Sequence, residues 1–195
     1  DYTGGSAFGS WIEDNARHAV VYTEKAGVNS VIIDSFDDVK AVTGNLGFSL
    51  CLYSGQMCTT SQNIYVPRDG IETGDGRMSF DEVAGAIVKA VDWLLSDPKR
   101  GAEVLGAIQN PATLERVQST QAAAANVIRE PAPVENEHFP EARVCSPLIM
   151  TIDASDEDAY MQEAFGPIVY VVAVDSTEQA LELAGKSARE HGAIT

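Results

Sequence analysis

Pro167-Ile168-Val169-Tyr170-Val171-Val172-Ala173-Val174 is an unbroken apolar run after a Gly-Pro step. It reads as a strand buried on both faces, the kind found inside sheets covered by helices on either side. Ser176 then opens a helix with Ala180, Leu183, Ala184 and Ala188 expected inward. Working back, a short helix is expected over Asp156–Met161, and a strand over Val144–Ile152, interrupted at Pro147. Pro131–Pro140 reads as loop. Asn110-Pro111 caps a helix running to about Val127, and residues 101–109 read as a Gly- and Ala-rich connection. Ser79-Phe80-Asp81-Glu82 matches a capping box before an apolar face of Val83, Ile87, Val91, Leu94 and Leu95, with Asp97-Pro98 as the stop.

The first third alternates in the same way. Gly4-Gly5 is a turn, with Ser6 as a candidate cap for a helix to about His18. Short strands are expected at Ala19–Thr23 and at the β-branched Asn29–Asp34. Asp37 or Asp38 starts a helix that points Val39, Val42, Leu46, Leu50 and Tyr53 inward and ends near Gly55. A strand follows at 63–67, then a Gly- and Asp-rich loop at 68–78. Strands alternating with helices predict an α/β fold, a three-layer sandwich with a mostly parallel sheet.

Composition narrows the function. A formal net charge of -16 over 195 residues argues against nucleic acid and anionic membrane surfaces as partners, because both require basic patches. No apolar run approaches a membrane span, and no signal peptide is visible. Three cysteines, Cys51, Cys58 and Cys145, form no CxxC pair, which speaks against a disulfide framework or structural zinc and for a reducing cytoplasm. No metal site is expected, and His18, His138 and His191 are scattered.

Cys58 stands apart. It lies at a helix-to-strand turn, in Ser54-Gly55-Gln56-Met57-Cys58-Thr59-Thr60, among small and polar residues that present a thiol instead of packing it. Cys51 lies on an apolar helix face and Cys145 beside a strand; both read as structural. Glu24 stands 34 residues before Cys58, between a strand end and a glycine turn. It reads either as a solvated loop carboxylate paired with Lys25 or, partly desolvated, as a base that activates water. Nucleophile plus base is the minimum for covalent catalysis through a thioester.

Four segments in register resemble the aldehyde dehydrogenase superfamily. Tyr2-Thr3-Gly4-Gly5-Ser6 resembles its glycine turn at the nicotinamide cofactor. Glu24-Lys25-Ala26-Gly27-Val28-Asn29 resembles its Glu-Leu-Gly-Gly-Lys-Asn motif. Gly55-Gln56-Met57-Cys58 resembles its Gly-Gln-x-Cys motif, and Glu163-Ala164-Phe165-Gly166-Pro167 its Glu-x-Phe-Gly-Pro motif. The resemblance covers the whole chain, and in detail looks most like the dehydrogenases of phenylacetic acid degradation.

The resemblance implies NAD(P)-dependent oxidation of an aldehyde to an acid. Cys58 would be the nucleophile and Glu24 the hydrolytic base. Gly4, Gly5, Glu163 and Phe165 would bind NAD or NADP, with Glu163 on the ribose and Phe165 near the nicotinamide. It also implies residues 1–23 as the end of a dinucleotide-binding domain, 24–195 as an incomplete catalytic domain, and a homodimer or homotetramer at full length. The chain is expected to be a piece of a longer protein, inactive alone. Gly5 stands where the family usually has Ser, and Lys25 and Val28 replace Leu and Lys. Two rivals differ in chemistry: a cysteine hydrolase or acyltransferase using one of the histidines, and a non-catalytic structural or interaction relative.

Overall fold

A computed structural model describes residues 1–25 and 27–193. In chain order it contains β1 (Tyr2–Thr3), α1 (Ser6–Asn15), β2 (Thr23–Glu24), β3 (Asn29–Ile32), β4 (Ser35–Phe36) and α2 (Val39–Cys51). There follow β5 (Ser61–Pro67), β6 (Ile71–Thr73), β7 (Gly76–Met78), α3 (Phe80–Leu95), α4 (Pro98–Leu105) and α5 (Pro111–Ala123). The chain closes with β8 (Val127–Arg129), β9 (Leu148–Asp153), α6 (Glu157–Tyr160), β10 (Ile168–Val174) and α7 (Thr177–His191).

The run that decides the fold forms β10, with every residue buried. It lies at the centre of a five-stranded sheet of order β3-β5-β10-β9-β8. Its pairings with β5 and β9 are parallel, as is β3 with β5, and only β8 runs antiparallel. Alternation along β10 divides the interior in two. Val169 and Val171 face a core with Leu46, Leu50, Val83, Ile87 and Val91 from α2 and α3. Tyr170, Val172 and Val174 face a second core with Val117, Tyr160, Ala180 and Leu183 from α5, α6 and α7. Helices cover both faces, so the expected three-layer sandwich is the observed one.

Capping chemistry sets the helix starts. Asp38 accepts from the Ala41 N–H at 2.8 Å. Ser79 and Glu82 form the reciprocal capping box. Ser176 caps α7, where Ser187 is buried and Ala188 is exposed, a shift of one position from the expected inward face.

Elsewhere the chain departs from the sequence reading. Gly5, not Ser6, is the N-cap of α1, and that helix ends at Asn15. The expected strand at 19–23 shortens to Thr23–Glu24 and leaves Val20 and Tyr22 exposed. The loop at 68–78 contains the β6–β7 hairpin. Residues 98–105 form α4, because Asp97 caps it and Pro98 takes its first position. The helix from Asn110-Pro111 ends at Ala123, and Val127–Arg129 pairs with β9 instead. Among the described residues, no helix is long and apolar enough to cross a membrane.

Candidate active site

Cys58 is the exposed cysteine of the three. Burial pushes the Cys51 thiol up to about 12 and raises that of Cys145, so both are held protonated and unreactive. The segment leading to Cys58 is fixed by an unusual backbone. After α2, Tyr53 and Ser54 both have φ of 53°, and Gly55 follows with φ of 65°. Three consecutive left-handed residues, two of them with a Cβ, require strong anchoring. Ser54 supplies it: its fully buried hydroxyl lies 2.9 Å from the Leu105 carbonyl and 3.2 Å from that of Cys145. Gln56 ties the same turn to the 107–109 connection, donating to the Tyr53 and Ala107 carbonyls and accepting from the Gln109 N–H. On the far side of the thiol, buried Asn29 donates to the Cys58 carbonyl at 2.6 Å and to that of Thr60 at 3.3 Å. Asn29 begins β3, so a hydrogen bond joins the motif of the candidate base to that of the candidate nucleophile.

Cys58 opens onto a small cleft of about 20 Å³, lined also by Gly27, Asn29, Gln62, Glu163 and Phe165. A volume of that size takes roughly one water-sized group. Glu163 is half-buried, and desolvation raises its pKa, against the lowering effects of the Gly27 N–H and Arg116. The Gly27 N–H reaches Glu163 Oε1 at 3.3 Å. Arg116 of α5 donates to the Phe165 carbonyl at 2.7 Å. The cleft is closed from behind by backbone: a Cβ on Gly55 would lie 2.3 Å from the Gly166 oxygen, so the turn before Cys58 and the Gly166-Pro167 step touch directly. None of the described residues lining the cleft is a histidine.

The other predicted site residues form a second group. β1 and β2 pair in parallel, with Thr3 opposite Glu24, and the Gly4 N–H donates to the Glu24 carbonyl at 3.0 Å. The glycine turn and the candidate base are therefore neighbours. Glu24 itself is exposed and does not line the Cys58 cleft. Lys25 turns to α1, where its Nζ lies 2.9 Å from Glu13 Oε2, and Thr23 donates to the same carboxylate.

A nicotinamide dinucleotide fits these residues in kind. Gly5 caps α1 without a side chain, and a Cβ there would meet nothing within 4 Å, which leaves a helix N-terminus open to phosphate. Glu163 and Phe165 offer a carboxylate acceptor and an aromatic face beside the thiol. Sequence reasoning missed Ser54, Gln62 and Arg116 as supports of the site, and nothing in their spacing marks them.

Residues 1–191 match the model of the aldehyde dehydrogenase family. The crystal structure of an NAD-dependent aldehyde dehydrogenase from Burkholderia multivorans superposes with a TM-score of 0.95 at 52% identity, over 100% of this chain and 35% of that one. FUS7 of Gibberella fujikuroi, an aldehyde dehydrogenase by name, is 29% identical over 95% of this chain and 37% of its own length. The NADP-dependent glyceraldehyde-3-phosphate dehydrogenase of Streptococcus equinus is 25% identical over 96% of this chain, again 37% of its length. The chain thus spans little more than a third of the curated relatives it matches. With its parallel sheet, its presented cysteine and a family match over nearly its whole length, the chain belongs to the aldehyde dehydrogenase family.

Proposed function

We propose that this chain is the nucleophile-bearing part of a longer NAD(P)-dependent aldehyde dehydrogenase. The observation that carries this reading is the selective presentation of Cys58. It is exposed beside Glu163 and Phe165, while the other two thiols are buried. In this reading the Cys58 thiolate adds to the aldehyde carbonyl to form a thiohemiacetal, whose oxyanion accepts a hydrogen bond from the Cys58 N–H. A bound nicotinamide dinucleotide supplies the hydride acceptor, and the thiohemiacetal collapses to a thioester on Cys58. Glu24 takes a proton from the water that hydrolyses this thioester, releasing the acid and the free thiol. Glu163 would hold the ribose on the nicotinamide side, Phe165 would pack near that ring, and Gly4 and Gly5 would receive the phosphates. Retention of Glu24 favours acid formation over transfer to coenzyme A.

NAD is favoured over NADP by the NAD dependence of the Burkholderia relative. Residues 1–23 are read as the end of the dinucleotide-binding domain and 24–195 as catalytic domain. The whole protein is read as a cytoplasmic homodimer or homotetramer, with the aldehyde drawn from phenylacetate degradation. Because the chain spans about a third of its relatives, it is expected to be inactive by itself. The hydrolase alternative lacks the histidine it requires beside Cys58, and the non-catalytic alternative gives no reason for an exposed thiol in a cleft.

The test is an aldehyde panel against the whole protein with both cofactors, and Cys58→Ala as control. NAD(P)H production that Cys58→Ala abolishes supports the reading. Turnover that persists in Cys58→Ala, or arises from the 195 residues alone, refutes it.

A further inference from the structure

The segment between Tyr160 and Ile168 carries Glu163 and Phe165 without a sheet or helix of its own to hold it. Side chains take the place of a ladder, and Gln62 makes the most of these bonds. Gln62, on β5 and only 6% exposed, donates from Nε2 to the Tyr160 and Gln162 carbonyls, both at 3.0 Å. Its Oε1 accepts from the Ala164 N–H at 2.7 Å. Both amide hydrogens and the carbonyl oxygen are thereby used, and the residues bonded include those immediately before and after Glu163. The neighbouring Asn63 adds a bond to the Tyr160 carbonyl at 3.0 Å. Since β5 lies against the centre of the sheet, Gln62 refers the position of Glu163 to the most rigid part of the molecule.

We infer that Gln62 is the positioning residue for Glu163, holding its carboxylate in the Cys58 cleft where the ribose of a nicotinamide dinucleotide is read. This inference rests on the proposed function for the identity of the ligand, but the placement of Glu163 stands apart from it. Gln62 touches no reacting atom. Its effect should reach cofactor recognition, not the thiol.

Two variants test it. Gln62→Met keeps the length of the side chain and removes every bond. Gln62→Glu keeps an acceptor for the Ala164 N–H but turns a carboxylate oxygen toward two carbonyls. In the whole protein, both should raise the KM for the dinucleotide, on the order of tenfold or more for loss of a positioned contact. In the 195-residue chain, with no cofactor present, the carboxyl resonance of Glu163 should titrate closer to an ordinary glutamate in both variants, because the carboxyl group is no longer held desolvated in the cleft. Unchanged cofactor KM and unchanged Glu163 titration in folded variants would overturn the inference, as would failure of both variants to fold, which would assign Gln62 to stability alone. If the whole protein binds no dinucleotide, the proposed function fails, while a shifted Glu163 titration still upholds the positioning.

Discussion

Glu163 is ionisable, half-buried and costly to the fold. Desolvation raises its pKa above the ordinary 4.5. A group whose folded pKa is raised adds stability that is fully present below the unfolded value and is lost as pH rises through the folded value. Glu163→Gln should therefore be more stable than the parent chain at neutral pH. The advantage should vanish on acidification below the carboxylate range, as read by urea unfolding across that span. A cleft residue that destabilises its own fold is the pattern expected of a functional group. Tyr53 and Ser54 make the opposite pair. They share one φ, but Tyr53 is 55% exposed and makes no anchoring bond with its side chain, whereas Ser54 is buried and bonded. Tyr53→Gly should stabilise by about 1 kcal/mol through relief of left-handed strain, and Ser54→Ala should cost about 1–3 kcal/mol, both measurable as shifts in the urea midpoint. At this scale the motif residues were legible because chemistry restricts them to one or two side-chain types. Gln62, Ser54 and Arg116 were not, because each bonds to main-chain carbonyls or N–H groups. Any sequence supplies those partners, so no second residue marks the pair.

Elements were legible where a cap and an apolar period agreed. The capping box of α3, the Asp38 cap of α2 and the Ser176 cap of α7 each stand where the sequence places them. Two of the misses share one cause: a signal that carries two meanings. Asp97-Pro98 reads as a stop for α3, yet a capping Asp followed by Pro is also a start, and Asp97 accepts from the Arg100 N–H to begin α4. Asn110-Pro111 is the same device read correctly. Gly74-Asp75 reads as loop, but as two residues between Thr73 and Gly76 it closes the β6–β7 hairpin. Contacts between elements were invisible in the same way. Gly55 belongs to the nucleophile motif for its positive φ, and equally because the Gly166-Pro167 backbone leaves it no room. Gly55→Ala should cost roughly 2–4 kcal/mol, from strain and overpacking together. It should also slow Cys58 alkylation relative to the parent, since the turn and the start of β10 must separate. An unchanged urea midpoint would show that the contact is not close.

At the scale of the molecule, the two cores are distributed unevenly along the chain. Among the described residues, neither includes a side chain before Val31. The leading segment is instead a two-stranded pairing of β1 with β2 and a helix in which only Gly9 is buried. Its aromatic residues Phe8 and Trp11 stack on each other at 5.7 Å while remaining more than half exposed. The bonds that hold it together are local, namely Lys25 and Thr23 on Glu13 and the glycine turn on Glu24. Exposed ion pairs of this kind contribute under about 1 kcal/mol each, far less than the burial that fixes β5 and β10. Opening free energy follows buried contact, so the two parts should open separately. Amide hydrogen exchange on the 195-residue chain should show residues 2–24 exchanging through local opening. Amides of Ile64–Val66 and Val169–Val172 should exchange only with global unfolding. A urea concentration too low to unfold the sheet should leave the second group protected and the first already exchanged. If the two groups instead share one opening free energy, the boundary at residue 24 is not an energetic one, and the glycine turn is as firmly built into the sheet-bearing fold as Cys58.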